Sequence, residues 1–372
     1  MFAERKNNTM KRCLATIVMV LMMLSSVSVF AEEVTYTLGL EDAINMAMEN
    51  NPQFVNADTK IKNAEKQLEE AKKEQKNVKG VIRLPSAFSL VPVKNGYYVE
   101  QAKIGVESAK REKVKLENTL RYEVTQKYYS VKLAEALLRS TQDAYKIATE
   151  NKNAIDIQYE LGFVSKLDVN NAAYMVMQTK AACDKYERNL SVARENLKIS
   201  IQADGKDVNI ILTDGIEYQP FEANVSEDIE KAMETRLDVY SLKAACELAK
   251  KYLETTLVLG YKSSEYSAAN QTLVQSEYTY ANSKKLIGLS IMSAYNEILN
   301  TEDSLKLAEQ NLELKTQEYN VAKVQCEIGM ITNTQLTGAL NAVTSAEIEL
   351  ENAKLNYKLA VEKYGYEITL GL

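Results

Sequence analysis

The sequence predicts a mainly α protein. Long antiparallel coiled-coil helices are arranged in two structural repeats, with a short or vestigial β portion. Three observations predict this class. The first is a duplication: Tyr128…Leu138…Gln158-Tyr-Glu160-Leu-Gly162-Phe-Val-Ser165 returns as Tyr295…Leu305…Gln325-Cys-Glu327-Ile-Gly329-Met-Ile-Thr332, at a constant shift of 167 residues. Self-similarity of this length means two structurally equivalent halves. The second is the placement of Gly and Pro. Neither occurs from Val106 to Leu161, Phe163 to Asp204, Phe221 to Leu259 or Leu289 to Ile328, and Met330 to Tyr364 is interrupted only by Gly338. Periodic runs well beyond about 25 residues indicate coiled coil rather than ordinary globular helix. The third is composition: no Trp, four Pro, and abundant Ala, Glu, Lys and Leu favour long helices.

Taken in order, residues 1–31 read as a secretory signal peptide. Arg5, Lys6, Lys11 and Arg12 precede an apolar run from Leu14 to Val29, and Val29-Phe30-Ala31 is a small-residue cleavage site. The run is about 16 residues, shorter than the roughly 20 that a spanning helix needs. Cys13 precedes the run, which argues against a lipoprotein anchor. Residues 32–204 form the first repeat. Its long helix shows an apolar stripe at Val124, Tyr128, Val131, Ala134, Leu138, Tyr145 and Ala148.

Residues 205–221 read as a connector, with one short strand over Asp207–Thr213 and a turn at Asp214-Gly215. Residues 222–372 form the second repeat. The opening of the first, Leu40-Glu-Asp-Ala-Ile-Asn-Met-Ala47-Met-Glu49, has a weaker copy at Ile229-Glu-Lys-Ala232-Met-Glu234, in a register shifted by 185. The first half therefore holds 18 more residues than the second. They fall around Gly80 to Tyr98, where Pro85, Pro92 and Gly96 cluster and one short hairpin is expected.

Gly162 and Gly329 each lie between two long helices, where glycine suits the left-handed residue that ends a helix. Three residues on, Ser165 and Thr332 are N-caps for the next helix. Thr332-x-x-Gln335 is a capping box and Ser165-x-x-Asp168 a near one. Each site is a tight helical hairpin tip.

Chemistry is sparse. There is no histidine, which removes the usual general base and the commonest metal ligand. No Gly-rich phosphate loop, Cys-x-x-Cys or Gly-x-Ser-x-Gly is present. Carboxylates such as Glu65 and Glu69 fall beside Lys72 at helix-surface spacing, as on a solvated face. Cys183, Cys246 and Cys326 are an odd set after the leader, which argues against a disulfide framework, and Cys246 and Cys326 read as small core residues. The chain carries a net charge of −6, and an acidic exported protein has no reason to bind nucleic acid. No catalytic site, cofactor or metal is expected.

These residues resemble the TolC family of outer-membrane efflux proteins over nearly all of the sequence after the leader. The resemblance rests on "LGLEDAINMAMENNPQF" with its copy "EDIEKAMETRLDV", on the paired "YELGFVSKLDV" and "CEIGMITNTQL", and on the closing "LENAKLNYKLAVEKYGY". It implies a homotrimer in which each protomer gives two helical hairpins to a hollow α-barrel. The barrel would be a passive export duct at the outer membrane and in the periplasm. The tip positions Gly162, Phe163, Ser165, Asp168, Gly329, Met330, Thr332 and Gln335 would then dock a periplasmic adaptor and, through it, an inner-membrane pump of an efflux or type I secretion system.

Two departures qualify what carries over. The family's membrane barrel takes four strands per protomer, each about 9–11 residues to cross the hydrocarbon. Gly80–Tyr98 barely holds two short ones, and Gly260–Gly288 fits helix or loop better than lipid-facing alternation. Many relatives also carry two Asp in the second tip helix as an acidic entrance ring. The matching positions here are Gln335 and Gly338, with Asp168 and Asn171 in the first repeat, so that selectivity does not transfer. A structural reading stands beside the duct: an exported coiled-coil envelope scaffold without a channel.

Overall fold

The structure, a computed structural model, describes residues 34–79, 88–203 and 208–369. The expected leader at 1–31 lies outside them. The chain divides into two compact units. The smaller is built on the two-stranded pairing of β1 (Val34–Leu38) with β2 (Val208–Leu212). In β2 burial alternates as a period of two requires, with Val208, Ile210 and Leu212 buried. The short strand expected in the connector is therefore present.

The larger unit is helical. Its elements are α1 (Leu40–Asn50), α2 (Pro52–Lys79), α3 (Val91–Lys94), α4 (Tyr97–Glu160), α5 (Lys166–Ser200), α6 (Val225–Thr235), α7 (Leu237–Thr256), α8 (Ser264–Glu327) and α9 (Asn333–Glu367). The 167-residue shift carries α4 onto α8, both 64 residues, and α5 onto α9, both 35. The 185-residue shift carries α1 onto α6, both 11 residues. At about 1.5 Å per residue, α4 and α8 are each roughly 96 Å long. In each half the long helix packs along the helix that follows its tip, and α9 also packs on α4 and α5.

The stripe on α4 is buried at Val124, Tyr128, Val131 and Ala134 and continues through Leu137, Thr141, Ala144 and Ala148. Leu138 and Tyr145, expected in it, are half-buried neighbours. Thr141 fits because its hydroxyl donates to the Leu137 carbonyl at 3.0 Å and so carries no unpaired polar group inward. In the second half, Val239, Ile287, Ile291, Ile298, Leu305, Ala353, Tyr357 and Tyr364 form one core.

The run Phe221–Leu259 is not one helix. It breaks at Arg236, whose backbone is extended (φ −63°, ψ 137°), as the first repeat breaks at Asn51 (φ −81°, ψ 114°). In the first repeat Pro52 forces the residue before it out of the helical region. In the second, the Arg236 guanidinium is held at the break by Asp238 (Nη2–Oδ2 2.8 Å) and Glu367 (Nη1–Oε2 2.7 Å).

The hairpin expected at 80–98 is corrected where it is described. Residues 80–87 lie outside the described residues. Phe88–Leu90 form one 3-10 turn, α3 follows, and α4 has begun by Tyr97. Pro92 sits in the first turn of α3, a position proline tolerates, and this turns a β-rich composition into a helical corner. The matching stretch Gly260–Gly288 is helix from Ser264 onward. Asp214-Gly215 makes no regular turn. The Asp214 carboxylate accepts from Leu40 N at 2.7 Å, and Asp214 N donates to the Tyr128 hydroxyl at 2.9 Å, so within the larger unit this residue joins the start of α1 to α4. Cys183, Cys246 and Cys326 are free and half-buried, so Cys246 and Cys326 are not full core residues. Among the described residues, no helix is long and apolar enough to cross a membrane.

Candidate functional site

The two tips are built alike. Helix α4 ends through Gly162 at φ +80° and α8 through Gly329 at φ +75°. At the first tip, Phe163 N donates to Gln158 O (2.8 Å) and Gly162 N to Tyr159 O (2.9 Å). At the second, Met330 N donates to Gln325 O (2.8 Å) and Gly329 N to Cys326 O (3.0 Å). These paired bonds, one reaching back five residues and one three, satisfy the last carbonyls of each helix. A side chain at either glycine would meet nothing within 4 Å, so the backbone angle, not space, demands glycine.

Three residues later each new helix starts in a complete capping box. Ser165 N donates to Asp168 Oδ2 (2.9 Å) and Asp168 N to Ser165 Oγ (3.3 Å). Thr332 N donates to Gln335 Oε1 (2.9 Å) and Gln335 N to Thr332 Oγ1 (3.3 Å). Asp168 thus serves as fully as Gln335, although a shorter side chain makes it the rarer choice. Hydrogen bonds from the Ser165 hydroxyl and backbone hold the Asp168 carboxyl below its usual pKa. Gln335 and Gly338 are both exposed, and Gln335 is spent on the cap.

The caps fix a short backbone path that turns apolar side chains outward. Phe163 is 77% exposed and Met330 70%. Leu161, Leu167 and Ile328 are also exposed beside them. These three belong with the tips although sequence reasoning passed over them. The signal was available: each is an apolar residue within five positions of a tip glycine, beyond the reach of the helix pairing that buries such residues elsewhere. The Lys166 ammonium lies 5.4 Å from the centre of the Tyr159 ring across the first tip.

The two tips come together at one end of the helical unit. A narrow crevice there is lined by Ile155 of α4, Asp168, Asn171 and Ala172 of α5, and Asn333 and Thr337 of α9. All eight expected tip residues therefore lie at or beside one surface. That surface offers two rigid turns, several exposed apolar side chains and the carboxylates of Glu160, Asp168 and Glu327, of which Glu160 and Glu327 are exposed. It can present shape and apolar area to a partner. Among the described residues no group of acidic, Cys or His side chains is arranged to hold a metal ion.

Comparison with known proteins gives the following. Residues 256–363 match the family model described as outer membrane efflux protein. No curated protein matches the chain. Among solved structures, a membrane protein from Pseudomonas aeruginosa superposes with a TM-score of 0.72 at 14% identity, covering 89% of this chain and 90% of that one. CusC, described with its folding and transmembrane channel formation, gives 0.72 at 12% identity over 89% and 92%. The open state of the Neisseria gonorrhoeae MtrE outer membrane channel gives 0.69 at 14% identity over 90% and 89%. The resemblance to the TolC family thus holds in sequence over 256–363 and in fold over most of the chain.

Proposed function

We propose, from a second half that carries the outer-membrane efflux sequence and a helical unit that carries the fold of such channels, that this chain is the outer-membrane duct component of a tripartite efflux or type I secretion assembly. It acts as a homotrimer and conducts passively. The inner-membrane partner supplies the energy. A periplasmic adaptor docks on the hairpin tips, with Gly162, Phe163, Ser165 and Asp168 on one side and Gly329, Met330, Thr332 and Gln335 on the other.

The single observation that carries this reading is the shared end: two independently capped tips, each with an apolar residue more than two-thirds exposed, meet at one surface. A solitary coiled coil gains nothing by exposing Phe163 and Met330 there, whereas a partner that covers them removes apolar area from water at about 25 cal/mol per Å². The acidic entrance ring of many relatives is replaced at Gln335 and Gly338, so the cation selectivity of such a ring is not part of this proposal.

The test is site-specific cross-linking from the tips to a periplasmic adaptor in intact cells. Gly162→Pro combined with Gly329→Pro removes two tip hydrogen bonds and forbids the positive φ. Cross-links at the tips are expected to disappear while trimers persist in detergent. Unchanged cross-linking refutes docking at the tips. A chain that stays monomeric at every concentration refutes the duct and favours the envelope scaffold.

A further inference from the structure

The two hairpins meet inside one chain along α4 and α9. Three contacts show how these antiparallel helices are aligned. The Ser140 hydroxyl donates to the Glu347 carboxylate. The Lys358 ammonium lies 6.0 Å from the centre of the Tyr129 ring. Tyr122 and Tyr366 meet edge-on at 5.7 Å. From Ser140 to Tyr129 the pairing moves 11 residues back along α4 and 11 forward along α9. From Tyr129 to Tyr122 it moves 7 and 8, so one register holds to within a residue across all three contacts.

The 167-residue shift carries α4 forward onto α8 and, run in reverse, α9 back onto α5. Within the chain α8 packs on α6, α7 and α9, and α5 on α4 and α9. The junction can nevertheless be written for α8 and α5. Tyr122 with Tyr366 becomes Leu289 with Ile199, and Ser140 with Glu347 becomes Leu307 with Lys180. Continued toward the tips in the same register, Leu314 falls opposite Tyr174 and Val321 opposite Leu167. Leu289, Leu314 and Val321 on α8, and Ile199, Tyr174 and Leu167 on α5, are each more than half exposed. On both helices the three are spaced by 25 and 7 residues, close to whole turns at about 3.6 residues each, so they share one face. Two exposed apolar stripes with the same spacing, running in opposite directions, are complementary halves of a helix seam.

Charge selects which faces meet. Helix α5 carries six basic and four acidic residues, a net +2, whereas α8 from Leu289 to Glu327 carries three basic and seven acidic, a net −4. Pairing α8 with α8, or α5 with α5, sets like charges together. Pairing α5 with α8 sets opposite charges together along the stripe.

We propose that α8 of one chain receives α5 of a second copy, antiparallel and in the register that α4 and α9 set within the chain. This rests on the proposed function in one respect, that copies of the chain associate. Each chain offers one face of each kind, so the contact is heterologous and propagates head to tail, as a ring requires. The seam between chains is not a full copy of the one within. Leu307 and Lys180 stand where Ser140 and Glu347 share a hydrogen bond, so apolar contact and opposite charge hold it. It ends at Val321 and Leu167, short of Phe163 and Met330, which leaves the tips to the adaptor.

The test is disulfide trapping in the full chain, with its four native cysteines first replaced by Ser. One variant carries Leu289→Cys with Ile199→Cys, another Leu314→Cys with Tyr174→Cys. A disulfide needs Cα atoms within about 7 Å. A slip of one heptad displaces them by about 10 Å and prevents it. Mild oxidation should give covalent dimers and trimers from both pairs on non-reducing gels, and none from the four single-cysteine variants. Circular dichroism checks that the helices are intact, and Val321→Cys with Leu167→Cys replaces any pair that disturbs them. Ladders from a single variant overturn the proposal, since like faces then meet. So do stronger ladders from Leu314→Cys with Ala181→Cys, one heptad out of register. A faster-migrating monomer overturns it too, because the disulfide then forms within one chain. Glutaraldehyde-linked trimers without disulfide ladders sink the seam and leave the duct standing. A chain that no reagent links to another copy removes both.

Discussion

Asp168 and Gln335 occupy one position of a duplicated device with different chemistry. Both side chains accept from the N-cap backbone, at 2.9 Å in each case. One acceptor titrates and the other does not. The Asp168 carboxyl lies below its ordinary pKa because the Ser165 hydroxyl and N–H favour its charged form. A depressed carboxyl supports the fold above its unfolded pKa and loses that support as pH falls through the folded one. The first tip should therefore loosen as pH drops below about 4, while the second is unmoved. Amide hydrogen exchange at Ser165 and Asp168 should accelerate relative to Thr332 and Gln335 in acid, once intrinsic rates are divided out. Asp168→Asn should abolish the difference. Equal acid response of the two tips would contradict the assignment.

At the scale of elements, one break between two helices is made in two ways. Asn51-Pro52 separates α1 from α2 through a steric rule of the backbone, and Arg236 separates α6 from α7 through charge. The Arg236 side chain is 10% exposed and Glu367 16%. Burial works against ionising Asp238, but the hydrogen bond and charge of Arg236 outweigh it, and its pKa lies below the ordinary value. Arg236→Ala strands the Glu367 carboxylate against the core and should cost about 3 kcal/mol in urea unfolding. Pro52→Ala loses only preorganisation and should cost under about 1 kcal/mol. Similar costs for both would mean that the ion pair does not hold the break. One break carries a local signal and the other does not: Pro52 disfavours helix at the residue before it, whereas Arg236 acquires its role only when Glu367, 131 residues away, is folded against it. The tips were legible for the opposite reason, since glycine, cap and box residue all lie within seven positions of one another.

Across the whole molecule, tyrosines hold the helices together. Burial, with the charge of Glu362 added, pushes the hydroxyls of Tyr129 on α4 and Tyr366 on α9 up to about 12. Burial and the Asp228 carboxylate also raise Tyr364, whose hydroxyl donates to that carboxylate at 2.7 Å. A phenol raised in the folded state contributes stability that is complete below its unfolded pKa of about 10 and is lost as pH climbs through 12. Alkaline unfolding should fall in that window, with tyrosinate absorbance and helical circular dichroism changing together. A gradual rise of absorbance with the helices intact would mean that the phenols titrate in place. The helical class, both hairpins and the connector strand could be read from the chain because they rest on local signals and on repetition. The helical corner at Phe88–Lys94 could not, because its Val, Pro and Leu content suits a strand equally well and packing decides between them.

The equal lengths of α4 and α8, and of α5 and α9, constrain how this gene can change. Two legs that must reach the same plane cannot be trimmed one at a time. Loss of seven residues from α8 alone would leave its tip roughly 10 Å short of the other. Insertions and deletions in the hairpins are therefore expected in matched pairs, which an alignment of homologues would check. The other end carries no such ruler. There α2 runs 28 residues and α7 only 20, so the halves differ in length at that end.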